Sequence, residues 1–580
     1  MVLILLKGIG DTLGVASIMP FLSVLGDPDL VQTNRYASWV YNTMGFTSID
    51  GFLIALGCGV FAMILISAVL RSVAVYAINR WVMSREYSLS RRLLDVYMRQ
   101  PYAFFLDRHT GDLSTYILSE THRVVGDAYK PAADILNSLV TFVFIVSLLL
   151  WTEPMMTLVS VAVLGGCYLV LFTILKPLIK RMGEAVVKSN KARFRIAGEA
   201  LGGVKQIRLL GRERNYISAY SDPARTQARV RAANATLRQV PKFALEVIAF
   251  GGIVVLTLFL VTRSGGVEGD AIAKSLPLLG LYAFAGYRLL PTMQIIYASA
   301  ATLRYGSAAV EAVYKDLGKG RSLARLPSEQ AKPLPLNQRL ELLSVSYKYP
   351  GAKTEGLSDI NICIERGMTV GLVGSTGAGK TTLIDVLLGL LTPTGGEMLV
   401  DGVALTSDNI RSWQANVGYV PQEIFLTDST IAQNIAMGVP VDQISMKRVE
   451  QACRMAQIYD FVVDELPNGF ETAVGERGVR LSGGQRQRIG IARALYNNPE
   501  VIVFDEATSA LDNATEREVM NEISALSGSK TIIMIAHRLT TIEKSDKVIV
   551  LDQGRVVGDG TFSELSKKNT YFQNIENGSS

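Results

Sequence analysis

The sequence predicts a multi-domain chain in which an all-α domain of six transmembrane helices is followed by an α/β domain. Its 580 residues are too many for one ordinary hydrophobic core. Only 19% of the residues are charged and the mean hydropathy is +0.26, and both values indicate membrane segments. The long apolar stretches end near residue 298, and a glycine-rich turn between an apolar strand and an apolar helix follows them.

Six stretches are long and apolar enough to cross a bilayer, which takes about 20 residues each. The predicted spans are Met1–Leu25, Phe52–Ala77, Ala132–Trp151, Met155–Leu175, Phe243–Val261 and Ile272–Ala298. The connection 80–130 carries eight Lys and Arg residues and the connection 176–242 carries sixteen, whereas the other three hold only Arg35 and Arg263. Because basic loops stay on the cytoplasmic side, both long connections and both chain ends are predicted to be cytoplasmic. The net charge of +6 is then explained by the Lys and Arg residues of these cytoplasmic connections, and no nucleic-acid partner is expected.

The two long connections carry few helix breakers, so we expect helices that extend the spans into the cytoplasm. The membrane domain with these extensions is predicted over residues 1–314. A polar, proline-containing linker is predicted at 315–337, and the α/β domain at 338–580.

A phosphate-binding loop is predicted where the apolar strand 368–373 meets the following helix. The spacing G-x-x-x-x-G-K-T lets successive backbone N–H groups surround a phosphate, and the helix N-terminus adds a favourable dipole. The predicted ATP contacts in this segment are Gly374, Ser375, Thr376, Gly377, Ala378, Gly379, Lys380, Thr381 and Thr382. Lys380 would supply a cation to the phosphates, and Thr381 would offer its hydroxyl to Mg²⁺.

Two further strings complete a nucleotide site. An apolar strand ends in Asp505 and Glu506, where Asp505 would hold Mg²⁺ and Glu506 would polarise the attacking water. The string Leu481–Gln485 precedes a predicted helix, so its serine hydroxyl and glycine amides form a second phosphate-binding terminus. The predicted contacts there are Ser482, Gly483, Gly484 and Gln485.

This order of motifs resembles the ATP-binding cassette (ABC) family, whose signature is similar to Leu481–Gln485. The resemblance implies that Tyr349 stacks on adenine and that Gln422 contacts Mg²⁺ and the attacking water. It also implies that His537 is the switch histidine of the catalytic site. In the family, ATP lies between the phosphate loop of one cassette and the signature of another. Since this chain has one of each, the resemblance implies a homodimer with two working sites.

Six spans followed by one cassette resemble the half-exporters, whose cassettes are contacted by short coupling helices; the candidates are Asp112–Ser119 and Gly211–Ser218. Among the exporters, the membrane half is most similar to the lipid-linked oligosaccharide flippases of bacterial N-glycosylation, at Gly14–Phe21, Asp27–Phe46 and Tyr287–Pro291. That resemblance implies ATP-driven flipping of a polyprenyl-pyrophosphate-linked oligosaccharide, or a related amphipathic lipid, across the bacterial inner membrane. Asp27–Phe46 is then either the short external helix of those flippases or a plain loop.

Other functions stay open at this stage. An exporter of lipid A or of drugs is the alternative within transport, although cations in the cavity argue against cationic drugs. The six spans argue against a soluble ABC ATPase. The presence of Glu506 and His537 argues against a channel that ATP merely gates.

Cations in the spans are candidate substrate contacts, since a charge in lipid usually faces a cavity or a partner. Where the flippases place cavity arginines that would meet a pyrophosphate, this chain has Arg71, Lys242 and Arg288. For the two arginines, pairing within the bundle or snorkelling is the alternative. Asp11 lies four residues after Lys7 on the same helix face, so we expect these two side chains to neutralise each other.

Overall fold

The computed structural model folds the chain into two compact units. One comprises Met1–Gln100 with Arg108–Ala324, and the other comprises Pro101–Asp107 with Arg325–Ser580. The structure describes residues 1–106, 108, 110–263, 269–319, 331–475, 478, 481–505, 520–521, 523–535 and 539–576.

The described part of the first unit is built from helices. They are α1 (Val2–Ala16), α2 (Ile18–Gly26), α3 (Leu30–Thr33), α4 (Arg35–Thr43), α5 (Ile49–Met98), α7 (Thr110–Thr115), α8 (Thr121–Val124), α9 (Lys130–Thr152), α10 (Pro154–Gly202), α11 (Val204–Leu209), α12 (Glu213–Arg263) and α13 (Gly269–Lys319). Two π-helical turns, Tyr116–Glu120 and Val125–Tyr129, continue the helix between α7 and α9.

Among the described residues, four helical segments are long and apolar enough to cross a membrane. These segments are Val2–Gly26, Ile49–Met98, Gly111–Thr152 and Pro154–Gly202, and they contain the first four predicted spans. The fifth and sixth predicted spans lie within α12 and α13. Many side chains between 244 and 279 fall outside the described residues, so these two spans stay predictions.

The helix α10 is far longer than a membrane crossing requires, and the cytoplasmic position of its extension stays a prediction. At about 1.5 Å per residue, the 49 residues of α10 reach roughly 70 Å, more than twice the thickness of a bilayer core. Pro154 begins α10 at a position where its missing N–H needs no partner, and the Ser48 hydroxyl caps α5 by accepting from the Gly51 N–H at 3.2 Å. The segment Asp27–Phe46 contains the short helices α3 and α4 and is therefore not a plain loop.

Close packing brings α1 against α5 and α9. A β-carbon on Gly8 would lie 3.0 Å from Val140 Cγ1, and one on Gly10 would lie 3.0 Å from Leu70 Cδ1. A buried apolar cluster adds α13 to this group of helices; its members are Val15, Ile145, Leu149, Leu281 and Ala285. Glycine thus lets the polar face of α1 approach its neighbours closely.

The second unit is an α/β domain with two sheets. Its strands are β1 (Arg339–Tyr347), β2 (Leu357–Glu365), β3 (Thr369–Val373), β4 (Gly395–Val400), β5 (Val403–Ala404), β6 (Val417–Val420), β7 (Val501–Asp505), β8 (Thr531–Ile535), β9 (Lys547–Asp552) and β10 (Arg555–Gly560). A six-stranded sheet has the order β10-β9-β3-β8-β7-β6, parallel except for the edge strand β10. An antiparallel sheet has the order β2-β1-β4-β5.

Except for the first, the described α-helices of the second unit lie between and after these strands in the sequence. They are α6 (Ala103–Leu106), α14 (Lys380–Leu387), α15 (Ile410–Gln414), α16 (Ile431–Ile435), α17 (Met446–Met455), α18 (Gly483–Leu495), α19 (Phe562–Lys568) and α20 (Thr570–Glu576). β3 is buried at every position, as a central strand between two parallel neighbours should be. Trp413 is buried in this core, where its indole N–H donates to the Leu387 carbonyl at 2.7 Å.

The predicted fold class is confirmed: a helical membrane domain precedes an α/β cassette. The segment that the structure groups with the cassette is Pro101–Asp107, where Ala103 packs against the apolar core of the second unit. The predicted coupling segment Asp112–Ser119 lies in the first unit. The helix α13 runs to Lys319, so helical structure continues into the first residues of the predicted linker.

Candidate functional site

The phosphate loop follows the carboxyl end of the central strand β3 and opens the helix α14. Gly377 and Gly379 have φ angles of 86° and 101°, in the left-handed region that favours glycine. Gly374 is required for another reason, because a β-carbon there would lie 2.3 Å from the carbonyl oxygen of Leu551. The local glycine pattern therefore matches the conformation that the predicted ATP contacts need.

Lys380 is held inside this loop. Its Nζ donates to the carbonyl of Gly374 at 2.6 Å and to that of Ser375 at 3.0 Å, and its side chain is buried. The loop thus encloses a positive charge at a helix N-terminus, which is an arrangement that binds phosphate. Thr381, the predicted Mg²⁺ ligand, is exposed next to it at the first turn of α14.

Tyr349 lies at the same end of α14. Its hydroxyl is 3.0 Å from Thr382 Oγ1, and its ring packs edge-on against Tyr347 with centroids 5.0 Å apart. The structure therefore brings the predicted adenine-stacking ring and the phosphate loop together, although they are 25 residues apart in the sequence.

Acidic groups gather beside the loop. Asp505 ends the buried strand β7 and accepts a hydrogen bond from the Tyr419 hydroxyl at 3.1 Å. Burial, helped by the negative charge of Asp505, raises the pKa of Asp385 on α14 to about 6. A divalent cation between the buried Asp385 and the half-buried Asp505 would relieve the repulsion of their charges. Within the described ranges, no three His, Cys, Asp or Glu side chains converge as a metal site.

Gln422 is exposed, and in the second phosphate-binding terminus Ser482 is exposed whereas Gly483, Gly484 and Gln485 are half-buried. Gln422 follows β6, which pairs in parallel with β7, so Gln422 and Asp505 lie at the same end of two adjacent strands. Ser482 caps α18: its hydroxyl accepts from the Gln485 N–H at 3.2 Å, and the Gln485 side chain accepts from the Ser482 N–H at 2.8 Å. Gly483 and Gly484 form the first turn of this helix. The signature is thus a capped helix N-terminus on the cassette surface.

Glu506 and His537, the predicted catalytic residues, lie outside the described residues. The strands that precede them end side by side, with Asp505 paired to Ile535. Their roles stay predictions.

A cluster of charged side chains lies among the membrane helices. Arg71 Nη2 is 2.8 Å from Asp11 Oδ1, and Arg288 Nη1 is 3.7 Å from the same oxygen. Lys7 Nζ is 3.8 Å from Asp11 Oδ2. The Asp11 side chain is only 2% exposed, against 42% for Arg71 and 10% for Arg288. The structure thus joins two predicted substrate cations with the predicted Lys7–Asp11 pair in one site.

Lys242, the third predicted substrate cation, is placed differently. It pairs with Glu246, one turn along its own helix, with Nζ 3.7 Å from Oε1, and both side chains are exposed. No described contact joins it to Asp11, Arg71 or Arg288.

Comparison with known proteins decides the family. Residues 15–266 match the family model of the ABC transporter transmembrane region, and residues 357–509 match that of the ABC transporter. The chain belongs to the ABC transporter family. It is 31% identical over 505 residues to an ATP-dependent lipid A-core flippase of Pseudomonas putida, covering 86% of this chain and 81% of that protein. It is also 31% identical over 569 residues to the heterocyst differentiation ATP-binding protein HepA of Nostoc, covering 96% and 89%.

The fold of the transporter is also that of a solved relative. A bacterial Atm1-family ABC exporter with ATP bound superposes with a TM-score of 0.79 at 24% identity, covering 98% of this chain and 97% of that one. With one membrane domain and one cassette, this chain is an ABC half-transporter that has the fold of that exporter and is embedded in a membrane. It binds and hydrolyses ATP to drive transport.

Sequence reasoning about this transporter missed several residues near the nucleotide loop. Asp385 and Tyr419 are distant from Asp505 in sequence and gave no motif. Tyr571 of α20 has its hydroxyl 2.9 Å from Asp552 Oδ1 and 3.1 Å from Ser375 Oγ. A phenol carries one proton, so Tyr571 donates to the carboxylate and accepts from the serine hydroxyl of the phosphate loop.

Proposed function

We propose that the transporter flips an amphipathic lipid with a phosphate-bearing head group across the bacterial inner membrane. The observation that carries this proposal is the charged cluster, in which Lys7, Arg71 and Arg288 surround the single carboxylate of Asp11. An excess of positive charge among membrane helices is costly unless an anion joins it. A phosphate group supplies that charge, and arginine matches its oxygens geometrically.

An apolar cavity beside the cluster supports the lipid character of the substrate. The cavity has a volume of about 540 Å³ and is lined by Ile4, Ala74, Ala77, Ile78, Ala133 and Leu136, among others. Ile4 lies one helical turn from Lys7, and Ala74 one turn from Arg71. A head group at the cations would therefore have apolar surface within reach of its hydrocarbon chain. The size is within the range of about 300–1,000 Å³ that is usual for binding sites.

Two substrates share this chemistry. The similarity of the membrane half to oligosaccharide flippases favours a polyprenyl-pyrophosphate-linked oligosaccharide. The names of the curated relatives favour lipid A with its core, which also carries phosphates. A cationic drug would be repelled by the excess positive charge of the cluster.

For the ATP cycle we propose a homodimer. Each chain offers one phosphate loop and one signature helix whose capping residue Ser482 is exposed, so two chains complete two sandwiched ATP sites. In each site Thr381, Gln422 and Asp505 would hold Mg²⁺, Glu506 would act as the base, and His537 would stabilise the transition state.

Transport in proteoliposomes tests the proposed substrate. The purified chain is reconstituted with a polyprenyl-pyrophosphate-linked saccharide, with lipid A, or with a lipophilic cationic drug, and flipping and ATP hydrolysis are followed for each. We expect one phosphate lipid to be flipped and to stimulate hydrolysis. If only the drug were flipped, the proposed anionic lipid substrate would be wrong, whereas ATP-driven transport by this chain would still stand.

Variants in the cluster sharpen this test. Arg71→Gln is expected to lower flipping and substrate-stimulated hydrolysis at least tenfold, because it removes a charge that meets the head group. Arg71→Lys keeps the charge and is expected to retain part of the activity. Lys180→Ala is the control, since Lys180 pairs with Glu184 on an exposed helix face. Equal activity of Arg71→Gln and Lys180→Ala would contradict the proposed site.

A further inference from the structure

We propose that Tyr571, on the helix α20, is a positioning residue of the ATP site: its hydroxyl holds Ser375 of the phosphate loop in the position that ATP binding requires. Tyr571 lies 196 residues after Ser375 in the sequence, and no motif marks it. This role concerns ATP binding alone and does not depend on which substrate the transporter moves.

Ser375 is the residue on which the phosphate loop closes. Its backbone carbonyl accepts from the Ala378 N–H at 3.1 Å and from Lys380 Nζ at 3.0 Å. The first of these hydrogen bonds closes the turn, and the second holds the ammonium group inside it. A shift of Ser375 would therefore move both the backbone N–H groups that surround a phosphate and the cation that meets it.

Tyr571 reaches Ser375 through its side chain. The tyrosine hydroxyl is 3.1 Å from Ser375 Oγ and 2.9 Å from Asp552 Oδ1. Because a carboxylate only accepts, Tyr571 donates its one proton to Asp552 and accepts from the Ser375 hydroxyl. Asp552 is the last residue of β9, which pairs with β3 in the parallel sheet. The phenol thus connects the start of the loop to the end of a neighbouring strand.

The turn between β9 and β10 holds the loop at a second point. Gly554, in this turn, donates its N–H to the Ala378 carbonyl at 3.0 Å. Ser375 and Ala378 are the two ends of the hydrogen-bonded turn of the loop. The Gly554 bond acts on the second end, so the Tyr571 bridge adds a constraint at the first end that this bond does not duplicate.

Tyr571 is itself held in place. Its neighbour Phe572 is fully buried in an apolar cluster with Val373, the residue before the phosphate loop, and the Tyr571 ring packs against this cluster. The Phe572 N–H donates to the Asn569 side chain at 2.9 Å, and the Asn569 amide donates to the Val557 carbonyl of β10 at 3.0 Å. Because α20 is fixed in this way, the hydroxyl is in position before ATP binds, and binding does not have to order it.

Tyr571→Phe keeps the ring and its packing but removes the bridge between Asp552 and Ser375. The start of the loop is then ordered only when ATP binds, which lowers the affinity. A net hydrogen bond of ordinary strength corresponds to a factor of about two to ten in an equilibrium constant. We therefore expect KM for ATP to rise about fivefold. We expect kcat to stay within about twofold, since the loss affects bound ATP and the transition state alike.

The experiment measures steady-state ATP hydrolysis by the full chain in lipid nanodiscs, without added substrate, and the melting temperature of each variant. Ser375→Ala removes the other end of the bridge and is expected to raise KM at least as much as Tyr571→Phe. In the double variant we expect the KM of Ser375→Ala alone, because Tyr571 acts through the Ser375 hydroxyl. If Tyr571 served only to stabilise the cassette, the two changes would multiply and the melting temperature would fall.

Ser566→Ala is the matched control. Ser566 of α19 donates to Glu576 of α20 at 2.7 Å, so this variant removes a hydroxyl-to-carboxylate hydrogen bond from the same pair of helices. It leaves the contact with the phosphate loop intact, and we expect the wild-type KM. An equal rise of KM in Ser566→Ala would assign the effect to the helix pair as a whole and overturn the role of the Tyr571 hydroxyl.

Two further results would overturn the proposal: an unchanged KM in Tyr571→Phe, or a further rise of KM when this change is added to Ser375→Ala. If Tyr571→Phe does not fold, the comparison of Ser375→Ala with Ser375→Thr decides. Threonine keeps a hydroxyl for the bridge and is expected to raise KM less than alanine does, whereas equal values would contradict the bridge. None of these measurements involves a transported lipid, so their failure would leave the proposed substrate standing.

Discussion

Replacing Gly374 by alanine tests whether the phosphate loop depends on its close approach to the sheet. A β-carbon there would lie 2.3 Å from the Leu551 carbonyl oxygen. That oxygen belongs to β9, whose backbone is held by its pairing with β3, so it cannot easily retreat. The loop has to move instead, by about the 1 Å that is missing from an ordinary C···O contact.

The loss of ATP affinity follows from this movement. Overpacking of this kind costs about 3 kcal/mol, and the free chain relieves the strain by shifting the loop. Bound ATP requires the loop N–H groups in their original positions, so the strain returns on binding. Since about 1.4 kcal/mol corresponds to a factor of ten, Gly374→Ala should weaken ATP binding about 100-fold.

Equilibrium binding of a fluorescent ATP analogue to the purified full chain measures the effect. Gly377→Ala is expected to weaken binding about tenfold, because a φ of 86° is strained for alanine. The effect is smaller than at Gly374 because no atom lies within 4 Å of the added β-carbon, so there is no steric clash. Gly402→Ala carries similar strain, with a φ of 80°, in the turn between β4 and β5, and should leave ATP affinity unchanged. An unchanged affinity in Gly374→Ala, or an equal loss in Gly402→Ala, would refute the steric reasoning.

Further predictions concern the cassette. Trp413→Phe removes the 2.7 Å hydrogen bond to the Leu387 carbonyl and should destabilise the cassette by about 2–3 kcal/mol; an unchanged melting temperature would contradict this. Burial raises the pKa of Cys453 to about 12, so iodoacetamide at pH 8 should leave it unmodified in the native chain while the partly exposed Cys363 reacts, as mass spectrometry would show. Glu506→Gln should nearly abolish phosphate release and trap an ATP-bound dimer, and normal turnover would remove Glu506 as the base.

The phosphate loop could be predicted because its chemistry is local. Eight consecutive residues between a strand and a helix specify the turn, the positive φ angles and the lysine. The capped helix at Ser482 is local in the same way, since its capping box spans only four residues. The structure of such motifs can therefore be predicted without knowing how the rest of the chain folds.

The charged membrane cluster could be predicted only in part, because it is assembled from four helices. The spacing of Lys7 and Asp11 predicted a pair, and the structure has this pair at 3.8 Å. The shorter ion pair of Asp11 is with Arg71, sixty residues away in the sequence. The Lys7 ammonium donates its shorter hydrogen bond to the Thr141 hydroxyl of α9. Helix spacing reports which residues share a face, but it does not report which neighbouring helix that face meets.

The composition of this cluster connects the stability of the membrane domain with its proposed attraction for an anionic head group. Three cations without an acid would be very costly among membrane helices, and three cations with three acids would have no attraction left for a ligand. One buried carboxylate among three cations lies between these limits. It lowers the cost of placing the arginines in the bundle, and it leaves two positive charges that a substrate can neutralise. Asp11 can therefore stabilise the fold while the two remaining positive charges attract an anionic head group.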